Sequence, residues 1–383
     1  MPRTKLQQPG RTSGFSLIEL LVSMALGLIV VLAITGMLVR GEGSKRTTTS
    51  LNDVNQTGAY LAYVVDRALR SAGSGYAQRW NESFGCTLNA ARGNNAILPR
   101  GGAWPAPFSA VTTTLRLAPL VIGKGQSDSG SDVLMVMTGT SGYAESPPRV
   151  LPSSVSASGV RLANTLGARG NDLVLLAESG LGCMVQQVTN GFAGSDDQEL
   201  PFSGTYYKST GSTVNLSNFG SAATTYAVTL GNAVDNAPQF QMFGVGANAT
   251  LFSQDLLNLD GSDAPVPISD GVVALRALYG IDSNGDGKLD AFVDPGSAPW
   301  TSAALLDGSA AAQANLRRIV SVRVALVLRA PMVEKDTVSP ATLTLFRDLD
   351  ATLQQTVTIN GDDLKRRFRV VEFTVPLRNI LLI

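Results

Sequence analysis

The sequence predicts an α+β protein in which the outer half of a long N-terminal helix packs on an antiparallel β-sheet. Two helical signals come first: an apolar run from Phe15 to Val39, then a stripe of apolar residues at alternating spacings of three and four. Beyond residue 75 the pattern changes to short segments typical of strands. The 39 glycines and 18 prolines fit a loop-rich β part better than a helical bundle.

The apolar run is long enough to cross a membrane. As a helix, residues 15–39 extend about 37 Å, more than the ~30 Å of hydrocarbon in a bilayer. A cleaved secretory peptide has a shorter apolar region. Residues 1–14 carry Arg3, Lys5 and Arg11 and no acid, which places them on the cytoplasmic side. We therefore predict one membrane span with the rest of the chain on the opposite side.

The composition argues against most enzyme classes. The sequence contains no histidine, so it offers neither an imidazole base for a nucleophile nor a histidine ligand for a metal. Two cysteines cannot build a four-cysteine site alone. The 30 basic and 30 acidic side chains balance, so no bulk basic field attracts nucleic acid. Catalysis by carboxylates or by lysine stays open, but we expect a protein that is not an enzyme and has no catalytic residues, and nucleic acid is a disfavoured partner.

Glu19 is anomalous because it lies inside the predicted span. A charge at mid-bilayer costs about 2.5–3.5 kcal/mol, and somewhat less near the interface. An ordinary membrane anchor has no reason to carry it, so Glu19 needs a cationic partner. Cleavage between Gly14 and Phe15 would create an amine that pairs with Glu19 of the same subunit or of a neighbour.

The segment Gly14-Phe15-Ser16-Leu17-Ile18-Glu19 resembles the type IV prepilin signal. The resemblance implies that a prepilin peptidase cuts between Gly14 and Phe15 and methylates the new N-terminal Phe15. It also implies that Glu19 serves the docking of subunits during assembly. The alternative is a plain signal anchor.

The remainder of the chain supplies the elements of the predicted head. Two glycines, Gly41 and Gly43, weaken the helix before an amphipathic stripe resumes and ends at glycines 73 and 75. Its apolar positions are Leu51, Val54, Gly58, Leu61, Val65 and Ala68. Strands are predicted at 114–122, 132–137, 172–177, 183–188, 225–230, 239–243, 272–281, 319–328, 342–346, 356–359 and 368–377. Segments rich in serine, glycine and proline at 93–107, 123–131, 139–160 and 191–222 are predicted as loops.

Several of these segments resemble the PilW family of large minor pilins. They are GAYLAYVVDRALRSAG from Gly58, ALRALYGID from Ala274, LRRIVSVRVALVLRA from Leu316 and KRRFRVVEFTVPLRN from Lys365. The resemblance implies a type IV pilin-like fold, in which the head is a large antiparallel β-sheet with loop insertions. It divides the chain into a cleaved leader (1–14), a transmembrane and assembly helix (15–39), an amphipathic continuation (40–72) and a periplasmic or extracellular head (73–383).

The same resemblance implies a structural role in a tip or priming complex of a type IV pilus, supporting assembly, twitching motility and adhesion. The expected partners are the major pilin, other minor pilins, prepilin peptidase, the inner-membrane assembly platform and a tip adhesin. The expected location is the inner membrane before assembly and the pilus tip afterwards. A type II secretion pseudopilin shares the leader and is the first alternative. A membrane-tethered periplasmic enzyme or binding module is the second.

Two cysteines, Cys86 and Cys183, follow the predicted span, in an oxidising space if the chain is a bacterial prepilin. They form either a disulfide or two buried free thiols. The PilW resemblance favours the disulfide, since members of that family often pair cysteines in these regions.

Residues 282–290 have a calcium-loop pattern. Side-chain oxygens of Asp282, Asn284, Asp286 and Asp290, with the carbonyl of Lys288, match an EF-hand-type loop, which makes Ca²⁺ the one candidate cofactor. The acid expected at the twelfth position is absent. The alternative is a polar hairpin turn, since Asn-Gly and Asp-Gly are favoured turn residues.

The basic residues Lys365, Arg366, Arg367 and Arg369, grouped with Arg317 and Arg318, form the one basic cluster that the sequence suggests. Charges on an edge strand usually prevent aggregation, and we prefer that interpretation. DNA capture is less favoured because few aromatic residues are interleaved with these charges.

Overall fold

A computed structural model describes residues 14–141, 147–195, 198–221 and 223–381. The chain divides into two compact units, Met1–Asn52 and Asp53–Ile383. The predicted leader residues Arg3, Lys5 and Arg11 lie outside the described residues.

The helical elements begin with one long helix. They are α1 (Leu17–Ser71), α2 (Trp80–Ser83), α3 (Ser302–Leu305) and α4 (Ala310–Arg318). Helix α1 contains the span Leu17–Leu38, which is long and apolar enough to cross a membrane, with a mean hydropathy of 2.8. It runs through Gly41 and Gly43 without a break, because isolated glycines cost only about 1 kcal/mol each.

The strands are short apart from three long ones in the last third of the chain. In chain order they are β1 (Leu88–Arg92), β2 (Asn95–Leu98), β3 (Leu120–Gly123), β4 (Val133–Thr138), β5 (Gly159–Arg161), β6 (Asp172–Ala177), β7 (Cys183–Gln187), β8 (Glu199–Pro201), β9 (Tyr226–Asn232), β10 (Gln239–Val245), β11 (Thr250–Asp255), β12 (Val266–Asp270), β13 (Val272–Ile281), β14 (Ala291–Val293), β15 (Ile319–Arg329), β16 (Thr342–Leu345), β17 (Gln355–Thr358) and β18 (Phe368–Pro376).

These strands form three larger sheets in the described part of the head. The first sheet has the order β2-β1-β7-β6-β9, the second β12-β11-β10-β4-β3 and the third β14-β13-β15-β18. Pairing is antiparallel except between β1 and β7. Strands β16 and β17 form one two-stranded ladder, and β5 and β8 form another. The predicted α+β class is therefore confirmed, with the single predicted sheet replaced by several.

The outer part of α1 is held by the predicted apolar stripe. Leu61, Val65 and Leu69 are fully buried, and Val54 and Ala68 nearly so. They join a core to which all three sheets contribute. The helix ends at Ser71, and Gly73 adopts the left-handed conformation (φ +79°) that was predicted for a glycine cap.

The third sheet is covered on both faces. Val322, Val324 and Leu326 of β15 face the main core, whereas Ala325 and Val327 face a smaller core under the β16–β17 hairpin. A further core lies on the other face of the first sheet, formed with segments drawn from residues 150–168 and 188–219. Burial on both faces explains why these strands are nearly continuous apolar runs.

Sequence patterns missed several strands. Strand β1 contains one asparagine and two alanines, which have low β propensity, and β12 contains Pro267. The predicted strand at 114–122 is only a strand from Leu120 onward, preceded by an isolated bridge at Arg116. Strands β6 and β13 have the predicted bounds.

Gly58 allows α1 to approach the third sheet closely. A Cβ atom on Gly58 would lie 2.9 Å from Val371 Cγ2 and 3.6 Å from Leu328 Cδ1. We therefore expect Gly58→Leu to destabilise the head by about 1–3 kcal/mol through overpacking. Chemical denaturation followed by tryptophan fluorescence measures this.

The matched control is Ala59→Leu, an exposed position one residue along the same helix, where stability should change by less than about 0.5 kcal/mol. Combining Gly58→Leu with Val371→Ala should recover part of the loss. Additive effects of these two substitutions would contradict a direct contact.

Candidate assembly site

The residues of the predicted cleavage site are exposed. Gly14 precedes the helix, Phe15 is 83% exposed, and α1 begins at Leu17. Among the described residues, apart from its neighbours in the chain, no atom lies within 4 Å of a Cβ placed on Gly14. Packing within the described residues therefore does not require glycine at this position.

Glu19 lies in the first turn of α1, where the helix dipole favours a negative charge. Its side chain is exposed, and no cation from the described residues forms an ion pair with it. The apolar side chains on either side of it, including Leu17, Ile18 and Leu21, are more than half exposed as well. This surface fits anchoring in a membrane.

A disulfide fixes the segment that follows the helix. Cys86 and Cys183 are bonded, with their Cα atoms 5.5 Å apart, and both are buried. Cys183 is the first residue of β7 and pairs in parallel with Leu88 of β1. The bond therefore joins the segment just before β1 to β7, the central strand of the first sheet.

Asn379, near the end of the chain, caps the C-terminus of α1. Its side-chain amide donates to the carbonyl oxygens of Ser71 and Ala72 at 3.1 and 3.0 Å. Those carbonyls belong to the helix end, where intrahelical donors run out. The Arg-Asn that closes the PilW-like segments thus includes a residue with a structural role in holding the helix.

The predicted calcium loop closes on itself through hydrogen bonds. The Asp282 carboxylate accepts backbone N–H groups from Asn284 (3.1 Å), Gly285 (2.6 Å) and Gly287 (2.7 Å). Asp290 accepts from the backbone and hydroxyl of Ser283 at 2.8 and 2.6 Å. The backbone N–H of Asp290 donates to Ile281, which closes a turn between β13 and β14.

The other predicted ligands are engaged in the same turn. Asn284 accepts the N–H of Asp286, and Asp286 accepts the N–H of Lys288, each at 2.9 Å. Among the described residues, no three Asp, Glu or Cys side chains are grouped so that they could hold a metal ion. The geometry therefore favours the hairpin turn over the calcium loop.

These contacts set the pKa of Asp282. Burial raises it, but the N–H groups of Gly287, Gly285 and Asn284 stabilise the charged form more strongly, so the net pKa is lowered. A carboxyl whose folded pKa is depressed stabilises the fold above its unfolded pKa of about 3.9. This stabilisation is lost as the pH falls through the lower, folded value.

We expect Asp282→Asn to lower the melting temperature at pH 7 in excess EDTA, because an amide offers one acceptor oxygen where the carboxylate offers two. The difference from wild type should shrink below about pH 4. Asp286→Asn is the control, since its amide oxygen still accepts the N–H of Lys288. Stabilisation by Ca²⁺ that both substitutions abolish would instead support a calcium site.

The predicted basic cluster is two separate groups. Arg318 immediately precedes β15, whereas Arg369 pairs with Leu328 near the other end of that strand, about 30 Å away. The sequence could not show this because the separation depends on the register of β18. Arg317 stacks on Trp80 at 4.8 Å, and Arg367 forms an ion pair with Glu334 at 3.1 Å.

Sequence patterns did not reveal Asp132, a buried carboxylate at the junction of two sheets. It accepts the N–H groups of Gly125 (3.0 Å) and Ala277 (2.9 Å), and Arg276 lies 3.6 Å away. Burial raises its pKa despite these partners. An aspartate directly before an apolar strand carries no pattern that distinguishes it from an ordinary loop residue.

Comparison with known protein families gives matches in the N-terminal segment and in the last part of the head. Residues 237–379 match the family described as type IV pilus-assembly protein W, and residues 10–35 match the prokaryotic N-terminal methylation motif. No curated protein and no solved structure matches the chain. The first match covers β10 to β18 and the capping residue Asn379; the second covers Gly14, Phe15 and Glu19. Residues 237–379 are therefore similar to the PilW family and residues 10–35 carry a prepilin-type methylation motif, and together these two matches support a type IV pilin of the PilW kind.

Proposed function

We propose that this protein is a structural minor pilin that joins the tip or priming complex of a type IV pilus and supports assembly, motility and adhesion. The observation that carries the proposal is the combination of a methylation-type N-terminus with a PilW-type head in one chain. We infer that the protein performs no chemistry of its own and is a substrate of prepilin peptidase.

The size of the head supports a position at the tip. In a helical filament the N-terminal helices pack centrally and the heads tile the outside, so the volume of each head limits the repeat. This head contains three larger sheets, and an additional core covers the outer face of the first. That additional core lies entirely outside residues 237–379. At the tip no subunit lies above the head, so the extra volume meets no neighbour there.

Glu19 supports the proposed assembly step. It is exposed and without a cation among the described residues, while charge in an apolar layer is costly. Cleavage between Gly14 and Phe15 produces an amine that supplies the missing charge. We propose that the amine of one subunit pairs with Glu19 of its neighbour in the growing filament.

The partners and location follow from this role. We propose that the protein resides in the inner membrane, with its head in the periplasm, until the assembly platform incorporates it with the major pilin and other minor pilins. A tip adhesin is a further proposed partner. A type II secretion pseudopilin shares the N-terminal motif, but the match over residues 237–379 favours a pilus. A membrane-tethered enzyme or binding module leaves Glu19 unexplained.

Processing gives the first test. Gly14→Arg should block cleavage, because a long cationic side chain replaces the small residue beside the cut. The mass of the wild-type mature protein should correspond to a chain that begins at Phe15 and carries one added methyl group. Thr12→Arg is the control, since it adds the same charge without touching the cleavage site. A mature protein of normal mass from Gly14→Arg is the result that contradicts this interpretation.

Copy number tests the proposed position. Quantitative mass spectrometry of sheared pili should detect the protein in trace amounts relative to the major pilin, and deletion should reduce piliation. Abundance comparable to that of the major pilin would refute placement at the tip.

The same measurement tests Glu19. Glu19→Ala should leave membrane insertion intact, because it removes a charge from the apolar span, but should lower the amount recovered in pili. Glu19→Asp should be intermediate, since its carboxylate reaches one bond less far. Wild-type recovery of Glu19→Ala in pili would argue against a docking role.

A further inference from the structure

Strand β18 leaves one edge of the third sheet open. The N–H of Leu377 donates to Val320 and the N–H of Ala330 donates to Arg367, both at 2.8 Å, and the register between them is unbroken. In antiparallel pairing, hydrogen-bonded residues recur at every second position. The odd-numbered residues of β18 therefore bond to β15, and the even-numbered ones direct their backbone groups outward.

The outward groups belong to Phe368, Val370, Glu372 and Thr374. No backbone group among the described residues pairs with them. The side chain of Glu372 is engaged elsewhere, since it accepts from Arg323 (3.0 Å) and from the N–H of Phe346 (2.8 Å). Three amide donors at Val370, Glu372 and Thr374 and the carbonyls beside them thus form a regular, unused ladder.

In the described part of the chain, the other edges of the three larger sheets are short or blocked. Strands β2 and β14 have four and three residues. Strand β12 has Pro267, which has no N–H, inside its ladder. The N–H of Ile122 in β3 donates to the Tyr279 hydroxyl at 2.5 Å, and β9 bonds to Pro148 and Thr140. Among the described edge strands of these sheets, β18 is long, with nine residues, and it has neither a proline in the interior of its ladder nor hydrogen bonds from another segment along its outer side.

The side chains of β18 determine which kind of strand could pair with this edge. Val371 and Phe373 are half-buried against the main core and present part of their surface on one face. Arg369 lies on the same face, is exposed, and has no ion-pair partner among the described residues. The nearby Arg366 and Arg367, by contrast, pair with Asp363 (3.4 Å) and Glu334 (3.1 Å).

We propose that the outer edge of β18 binds an extended strand of another protein, which adds to the third sheet. The added strand has apolar side chains beside Val371 and Phe373 and a carboxylate beside Arg369. Backbone hydrogen bonds supply the affinity and these alternate positions the specificity. The inference rests on the proposed function, in which the head meets other pilus proteins.

A second copy of β18 fits this edge poorly. Antiparallel pairing through the outward groups aligns even-numbered residues with even-numbered ones and odd with odd. Arg369 would then face only Arg367, another Arg369, Val371, Phe373, Val375 or Leu377. None of these is acidic, so self-pairing leaves Arg369 without a carboxylate, whereas a different strand can provide one.

Residue-resolved amide exchange on the full chain in detergent micelles tests the proposal. The probe is a synthetic nine-residue peptide of alternating valine and threonine with one glutamate, and the matched peptide carries lysine instead. In the free protein, the amides of Val370, Glu372 and Thr374 should exchange at least about tenfold faster than those of Val371 and Phe373. The glutamate peptide should slow exchange at the first set only.

Two variants sharpen the test. Thr374→Pro removes one outward donor and should weaken peptide binding about tenfold, while Thr374→Val, which keeps the donor, should not. Protection of Val371 and Phe373 reports whether the proline variant keeps the β15–β18 ladder. Arg369→Glu preserves the backbone and should reverse the preference from the glutamate to the lysine peptide by about two- to fivefold.

Several results would overturn the proposal. They are slow exchange of the outward amides in the free monomer, no protection by either peptide, or protection that rises with protein concentration alone, which would mean self-pairing. Exchange measured on isolated pili separates this inference from the proposed function. If the chain is present there but its outward amides exchange fast, strand addition is wrong; if the chain is absent, the pilus role is wrong.

Discussion

The burial of one face of α1 is the constraint on which the head depends. Leu61, Val65 and Leu69 are fully buried, and each such side chain contributes roughly 1.5–3 kcal/mol relative to exposure. All three larger sheets contribute side chains to the core that surrounds them. Gly58 lets the helix lie close to Leu328 and Val371. Without the helix, the sheets lose the element that they share.

Polar and covalent contacts then fix the sheets around the helix. The disulfide holds the chain just beyond α1 against β7, and buried Asp132 joins the second sheet to the third through the N–H groups of Gly125 and Ala277. The disulfide and the contact of Asp132 with Ala277 both join segments far apart in sequence. They orient a set of mostly short strands that have limited pairing of their own.

Sequence patterns correctly predicted the elements that depend mainly on residues close together in the chain. The N-terminal segment from Gly14 to Glu19 is recognised residue by residue, because each feature follows from order along the chain. The α1 stripe and strand β13 follow from helical and strand periodicity. Strand β1 was missed because pairing with β7 and β2, and not its own composition, makes it a strand.

Two features of the structure depend on side-chain orientation and strand register, which a sequence pattern does not specify. In loop 282–290 the same aspartates suit a metal or a turn, and only the orientation of Asp282 toward its own backbone separates these interpretations. Likewise, Arg318 and Arg369 belong to different regions because β15 runs between them. The open edge of β18 was predicted as a charged edge strand, but its unused amides follow only from the register.

The cap that Asn379 places on α1 has a consequence for how the protein is made. Synthesis proceeds from the N-terminus, so the membrane span emerges first and the strand β18 and Asn379 emerge among the last described residues. Until then β15 has β13 on one side and no partner on the other, and the end of α1 lacks its amide donor. The third sheet is therefore completed only when the ribosome has translated almost all of this sequence, long after α1 has been made. A nascent chain in that state exposes one edge of the long apolar strand β15, to which other unpaired strands can bind until β18 is available.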